Sequence, residues 1–490
     1  MASVATIDGA QALADVRTEL FIGGEWRPAT GGAEFDVVDP STGQPLCRVA
    51  DATVGDALAA LDAAVATQPA FAATTPRERS RMLYRAWELL GERRDALAVL
   101  MTLEAGKPVA ESRAEIELAR EFVLHFAEEA VRISGNYQES PNGGSRMIVV
   151  HQPVGPTLLV TPWNFPMSMG CRKVAPAIAA GCTVVVKPAK ETPLTMLALA
   201  EIFREAGVPS GAVNVVTTSS SSSVVGPLIA SGKARKLSFT GSTEVGRTLL
   251  AQASEHVMKT SMELGGNAPF IVFDDADLDN ALEALMLTKM RNAGETCTAA
   301  NRIFVHRSVI DEFSSRLAQQ MSGFTMGRGV DEGVDLGPLI NARQQASVGE
   351  LVNDAVERGA ELMVGGKAPD LPGFFFEPTV LKNVPADARI RHEEIFGPVA
   401  PLVAFDTEEE VIALANDTEY GLVSYLFTEN LRRAIRVAEA MESGMVGLNQ
   451  GSVSNAAAPF GGIKQSGLGR EGGPEGIAEF LETKFIAVQL

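Results

Sequence analysis

Between residues 157 and 262, short apolar β-rich runs alternate with helical stretches, and few architectures accept that rhythm. The runs fall at 157–160, 183–186, 213–216 and 236–239. One intervening helix starts at Thr192-Pro193 and stops at Gly207, with Pro209 beyond. Proline suits the first helical turn and glycine the turn that ends it. Strands without a polar face are buried on both sides, so the segment predicts a parallel, doubly wound sheet covered by helices. Ligands on such sheets bind beyond the carboxyl ends of the strands, where the strand order reverses. The loops to inspect are Thr161-Pro162-Trp163-Asn164, Lys187-Pro188-Ala189-Lys190 and Thr240-Gly241-Ser242-Thr243-Glu244-Val245-Gly246, each of which follows a strand.

The usual dinucleotide fingerprint, GxGxxG, is absent. Gly241 and Gly246 flank a strand-to-helix joint whose backbone amides could meet a diphosphate, or could form no more than a tight turn. The stretch from Gly226 to Gly232-Lys233 has one residue too many for a phosphate loop of the ATPase type and continues in Ala234, so that reading is rejected. The serines at 219–223 read as a flexible connection or a helix cap.

The first seventy residues or so read as short strands and turns. Thr75-Pro76-Arg77-Glu78 is a capping box, and Met82, Leu83, Ala86, Leu89 and Leu90 form one apolar stripe after it. A second helix carries Ile116, Ala119, Phe122, Val123, Phe126, Ala130 and Ile133 on one face. Both faces are core. At 136–150, a turn at Asn142-Gly143-Gly144 followed by a strand-like run predicts a hairpin arm. The run at 484–488 is its partner strand, or else adds to a neighbouring subunit.

Two segments carry chemistry. Arg291-Asn292-Ala293-Gly294-Glu295-Thr296-Cys297 sets one cysteine after a small, polar, glycine-containing turn, and Glu263 stands beside Gly265-Gly266. A thiolate adds readily to carbonyl carbons, and a carboxylate can activate water. Taken alone, the cysteine could equally be a small buried apolar residue and the glutamate a solvated one.

The wider composition narrows the class. With 42 basic against 61 acidic residues the chain carries −19, a field that repels nucleic acid and anionic membranes. Four cysteines without a CxxC pair in 490 residues suit a reducing compartment. Five scattered histidines show no ligand spacing, so no catalytic metal is expected. No apolar run spans a bilayer, and Met1-Ala2-Ser3-Val4 does not begin a signal peptide, so the expected location is the cytoplasm.

As an ensemble, Thr161-Pro162-Trp163-Asn164-Phe165-Pro166, Lys187-Pro188, Phe239-Thr240-Gly241-Ser242-Thr243, Glu263-Leu264-Gly265-Gly266-Asn267, Gly294-Glu295-Thr296-Cys297, Glu394-Ile395-Phe396-Gly397-Pro398 and Pro459-Phe460-Gly461-Gly462 closely resemble the aldehyde dehydrogenase superfamily. The motifs keep the family's order from about residue 20 to the C-terminus. The resemblance implies an α/β fold with a Rossmann-like cofactor domain (1–135 and 151–263), an α/β catalytic domain (264–474) and a small β oligomerisation arm (136–150 and 475–490). It makes Cys297 the nucleophile that forms a thiohemiacetal and then a thioester. Asn164 helps to hold the oxyanion, and Glu263 is the general base. The implied cofactor residues are Pro162, Trp163, Lys187, Pro188, Ala189, Lys190, Gly241, Ser242, Leu264, Glu394 and Phe396. A homodimer or homotetramer is expected.

Within the superfamily, residues 165–173, Arg291 and Ser454-Asn455 resemble the succinate-semialdehyde dehydrogenase branch, in which two arginines and a serine hold the far carboxylate of the substrate. That assigns Arg172, Arg291 and Ser454 to the substrate, unless one of the arginines pairs with an internal acid. The nearest alternative is a broader enzyme for glutarate semialdehyde or for aliphatic and aromatic aldehydes. Lys190 stands where NAD-preferring members often have glutamate, which favours NADP while leaving NAD open. The residue two beyond the nucleophile is Ala299, so the paired-cysteine redox switch of some members is not expected.

Overall fold

The computed structural model describes residues 9–489; Met1–Val4, read above for a signal sequence, lie outside the described residues. An eight-stranded sheet runs in the order Gly467–Leu468, Lys259–Glu263, Lys236–Thr240, Thr157–Val160, Val184–Lys187, Val213–Val215, Leu20–Ile22 and Glu25–Arg27. Its five central strands are parallel, and antiparallel strands close both edges. Every residue of Thr157–Val160, Val184–Lys187 and Lys236–Thr240 is buried, as expected of strands covered on both faces. From Thr157–Val160 the chain builds outward through Val184–Lys187 and Val213–Val215, then returns to the other side at Lys236–Thr240. The order therefore reverses between Thr157–Val160 and Lys236–Thr240, and a cleft opens beyond their carboxyl ends. The fold is α/β and Rossmann-like.

Two helices that flank this sheet are capped by buried acids from two other helices, Arg94–Ala105 and Val109–Glu129. Glu104 accepts the N–H groups of Leu194 and Thr195, both at 2.8 Å, and Glu115 accepts those of Met167 and Ser168 at 2.9 and 3.1 Å. A carboxylate suits the positive end of a helix dipole and satisfies its orphan donors. Burial nevertheless raises the Glu104 carboxyl to about 8. The helix that Glu115 anchors, Pro166–Ala180, is buried along its whole length.

A second, seven-stranded sheet runs Glu361–Val364, Thr379–Lys382, Val399–Phe405, Ala300–His306, Ala268–Val272, Val423–Phe427 and Met445–Leu448; only its first pair is antiparallel. A separate core packs around Phe270, Ile303, Phe313 and Tyr425. The strands Asn136–Glu139 and Ser145–Pro153 form a hairpin, and Leu481–Gln489 adds to it antiparallel, with Phe485 opposite Val149. Tyr137 and Phe485 are well exposed on this small sheet.

Two helices replace what the sequence suggests. Val54–Ala72 lies where strands and turns were expected, and Arg94–Ala105 fills the span between the two expected helices. Thr53 and Asp56 form a full capping box at the first of these. Its alanine-rich body, with Gly55 and Pro69, offers little periodic contrast to read. The helix Val109–Glu129 ends before Ile133, which is half-buried in the segment beyond it.

Candidate active site

A cavity of about 440 Å³ lies at the reversal point, and Cys297, Glu263 and Asn164 all line it. Of the expected cofactor residues, Pro162, Trp163, Gly241, Ser242, Leu264, Glu394 and Phe396 line it too. Lys187, Pro188, Ala189 and Lys190 continue from the adjacent strand without lining it. Lys187 is buried, donates to the Ser221 hydroxyl at 2.8 Å and is brought down to about 8 by burial. Lys190 is exposed. The serine run is thus largely a helix start, since Ser221–Ala230 is helical.

The turn that presents Cys297 is strained. Asn292 and Ala293, both at φ 52, and Gly294 at φ 75 are consecutive left-handed residues, a costly conformation for the first two unless the surroundings impose it. Here they do. The Asn292 side chain donates to the carbonyls of Asn164 and Glu295, each at 3.1 Å, and its own N–H donates to the Glu111 carboxylate at 2.7 Å. The Glu295 side chain accepts the Ile340 N–H at 3.0 Å. A side chain at Gly294 would stand 2.1 Å from the Gly397 carbonyl oxygen, so only glycine fits there.

Asn164 Nδ2 donates to the Glu295 carbonyl at 3.1 Å, and an amide nitrogen has a second hydrogen to offer. The Cys297 side chain is half-buried at the cavity wall. Burial pushes its thiol up to about 12, with Arg172 opposing, Glu394 and Glu263 reinforcing and Arg291 opposing. Neither oxygen of Glu263 has a hydrogen-bond partner among the described residues. Its carboxyl is held well above the ordinary range, first by burial and then by the charge of Glu471.

The two arginines differ. Arg172 is 1% exposed and forms an ion pair with Glu471 at 2.6 Å, and Lys173 reaches the same carboxylate at 2.5 Å. The sequence leaves open that one of the two arginines pairs with an internal acid, and Arg172 is the one that does. Arg291 has no ion pair among the described residues. Its guanidinium lies 5.1 Å from the centre of the Phe165 ring, and its Nε is buried without a partner. Ser454 is half-buried in the loop after Met445–Leu448.

Several neighbours escape a reading of the sequence. Gln344 lines the cavity and donates from Nε2 to the carbonyls of Ile395 and Phe396, at 3.2 and 2.8 Å. It thereby holds Phe396 at φ 49, with its ring edge-on to Trp163. The helix start after Asn341 is the signal that could have found it, since Asn341 caps that helix through the Gln344 N–H. Glu111 and Glu471 carry no local signal at all, and Lys173 stands in the 165–173 stretch without a role read from it.

Residues 26–486 match the aldehyde dehydrogenase family, and the chain belongs to that family. It is 54% identical to a succinate-semialdehyde dehydrogenase of Paenarthrobacter nicotinovorans, over 90% of this chain and 98% of that one. It is 48% identical to a glutarate-semialdehyde dehydrogenase of Pseudomonas putida, over 97% and 98%. Among solved structures, an E. coli NADP-dependent enzyme superposes with a TM-score of 0.96 at 50% identity, over 97% of this chain and 98% of that one.

Proposed function

We propose that the protein oxidises succinate semialdehyde to succinate, with NADP or NAD as hydride acceptor. One observation carries the reading: a single cavity joins Cys297, Glu263 and Asn164, and the unpaired Arg291 begins the same turn that presents the thiol. The Cys297 sulfur adds to the aldehyde carbon. The second N–H of the Asn164 amide and the Cys297 backbone N–H hold the resulting oxyanion, a contribution of a few kcal/mol. A nicotinamide nucleotide bound in the cavity would supply the hydride acceptor by which the Cys297 thiohemiacetal becomes a thioester. Glu263 then removes a proton from water as it attacks the thioester, releasing the carboxylate product and the thiol.

The residues at the cavity suit such a nucleotide. Thr240 Oγ1 is buried without a partner there, Gly241 and Gly265 line the wall with bare backbone, and Ser242 caps the helix Thr243–Ser254. Backbone amides at such a helix start suit phosphate. Glu394 and Lys187 would take ribose hydroxyls, and Phe396 would lie near the nicotinamide. Lys190 favours a 2′-phosphate, hence NADP.

Arg291, with Ser454, would hold the far carboxylate; Arg172 adds positive potential from behind. An arginine fork accepts a carboxylate at more than one chain length, so glutarate semialdehyde is the second reading, and the Pseudomonas putida relative favours it. The enzyme would be cytoplasmic and homo-oligomeric; the exposed Tyr137, Phe485 and Ile486 of the three-stranded sheet support the latter. Initial rates with succinate semialdehyde, glutarate semialdehyde and an uncharged aldehyde of matching length, each with NADP and NAD, test the proposal. A clear kcat/KM advantage for the four-carbon acid is expected. Equal use of the uncharged aldehyde would reject it.

A further inference from the structure

Glu111 has no part in the chemistry above, yet it touches the nucleophile turn. It lies on the helix Val109–Glu129, far from Cys297 along the chain, and its Oε2 accepts the Asn292 N–H at 2.7 Å. That N–H belongs to the peptide joining Arg291 to Asn292, so the carboxylate holds the first left-handed residue of the turn, near enough to Arg291 for its guanidinium to favour the charged form without an ion pair. Asn292 in turn donates to the carbonyl of Asn164, and the same carbonyl accepts from Lys107 Nζ at 2.6 Å. Lys107 is already paired with Glu115 at 2.7 Å. Glu111, like Glu295 of the turn itself, has no ion pair among the described residues. Burial raises the Glu111 carboxyl to about 7, against the Asn292 N–H, Lys107 and Arg291, which favour the charged form, so it carries its full charge in the mildly alkaline range.

We infer that Glu111 is a positioning and specificity-determining residue: its hydrogen bond fixes the turn that aims Cys297, and its negative charge beside Arg291 sets how strongly the site attracts an anionic substrate. The two roles separate by substitution. Glutamine keeps an oxygen acceptor for the Asn292 N–H and removes the charge; alanine removes both. The charge role rests on the proposed acid semialdehyde substrate, whereas the hydrogen-bond role does not.

The test uses the full-length enzyme with Glu111→Gln and Glu111→Ala. With an uncharged aldehyde, Glu111→Ala should lower kcat roughly tenfold or more, because a charge-assisted hydrogen bond to the turn is lost, and Glu111→Gln should recover most of that loss. With succinate semialdehyde at mildly alkaline pH, where Glu111 is ionised, Glu111→Gln should lower KM about threefold to tenfold, as one opposing charge near Arg291 disappears. A cofactor-free readout accompanies these. The ratio of Cys297 alkylation by iodoacetate to that by iodoacetamide, followed by mass spectrometry of the Cys297 peptide, should rise in Glu111→Gln by a similar factor. If Glu111→Ala retains full kcat with the uncharged aldehyde, the positioning role is overturned. If the alkylation ratio is the same in Glu111→Gln and the wild type, the charge role is overturned. A raised ratio without any change in KM for succinate semialdehyde would reject the substrate reading and leave the role of Glu111 standing.

Discussion

Glu471 is clasped by Arg172 and Lys173, at 2.6 and 2.5 Å, and its charge helps to keep the proton on the unpartnered carboxyl of Glu263. Two buried acids in one site divide in this way when only one has cations to hold it. Glu471 is pulled below the ordinary range and Glu263 raised above it.

The first prediction concerns that division. Glu263 works as a base only when ionised, so hydrolysis of the thioester should fail as pH falls through its raised pKa. Removing the charge at Glu471 lowers that pKa, and Glu471→Gln should shift the acidic limb of the kcat profile to lower pH. The same change leaves Arg172 and Lys173 buried without a counter-charge, at a cost of roughly 3–5 kcal/mol in stability. A pH series of kcat beside a denaturant titration checks both effects. A limb that stays in place would show that burial alone governs Glu263.

A second prediction concerns the resting nucleophile. With its thiol pushed up to about 12, cofactor-free Cys297 is almost wholly protonated near neutrality. Thiolate is the species that reacts with alkylating agents. Iodoacetamide should therefore modify Cys297 slowly, and the rate should climb about tenfold per pH unit through the mildly alkaline range. A plateau near neutral pH would mean that the protein ionises the thiol before any ligand binds.

Much of the first sheet is legible in the sequence, because strands buried on both faces announce themselves as apolar runs and their turns carry proline and glycine. Asn164 stands in a loop that follows one of those strands and Glu263 ends another, so that part of the cleft can be named before it is seen; Cys297 follows the helix Leu278–Met290 and is found by its motif alone. The electrostatic surroundings cannot. Glu471 reaches Arg172 from the far end of the chain, and Glu111 meets Asn292 across a gap of 181 residues. No spacing rule records which of two arginines is spoken for. Val54–Ala72 is hidden for a different reason: its buried face is mostly alanine (Ala57, Ala60, Ala64), and alanine also occupies exposed positions such as Ala66 and Ala70, so the sequence shows little contrast.

A third prediction tests the strained turn. A methyl group at Gly294 would collide with the Gly397 carbonyl oxygen and would have to adopt φ 75. Gly294→Ala should push the Cys297 turn away from the segment that carries Glu394 and Phe396. Misplacement by about 1 Å can cost on the order of a hundredfold in rate. The loss should fall mainly on kcat, with an overall fold that circular dichroism finds unchanged. A variant with wild-type kcat would show that the turn tolerates a shift that the packing forbids.

The fourth prediction addresses the nucleotide. Lys190 is exposed beside the buried Lys187, and no acid among the described residues pairs with it. A lysine there attracts a 2′-phosphate, and a glutamate would repel it while offering acceptors to two ribose hydroxyls. Lys190→Glu should weaken NADP binding about tenfold or more and leave NAD binding equal or tighter, as measured by quenching of protein fluorescence on titration with each nucleotide. Because binding is read without turnover, the result does not depend on which aldehyde the enzyme takes. Equal weakening for both nucleotides would assign Lys190 to the shape of the loop and not to the phosphate.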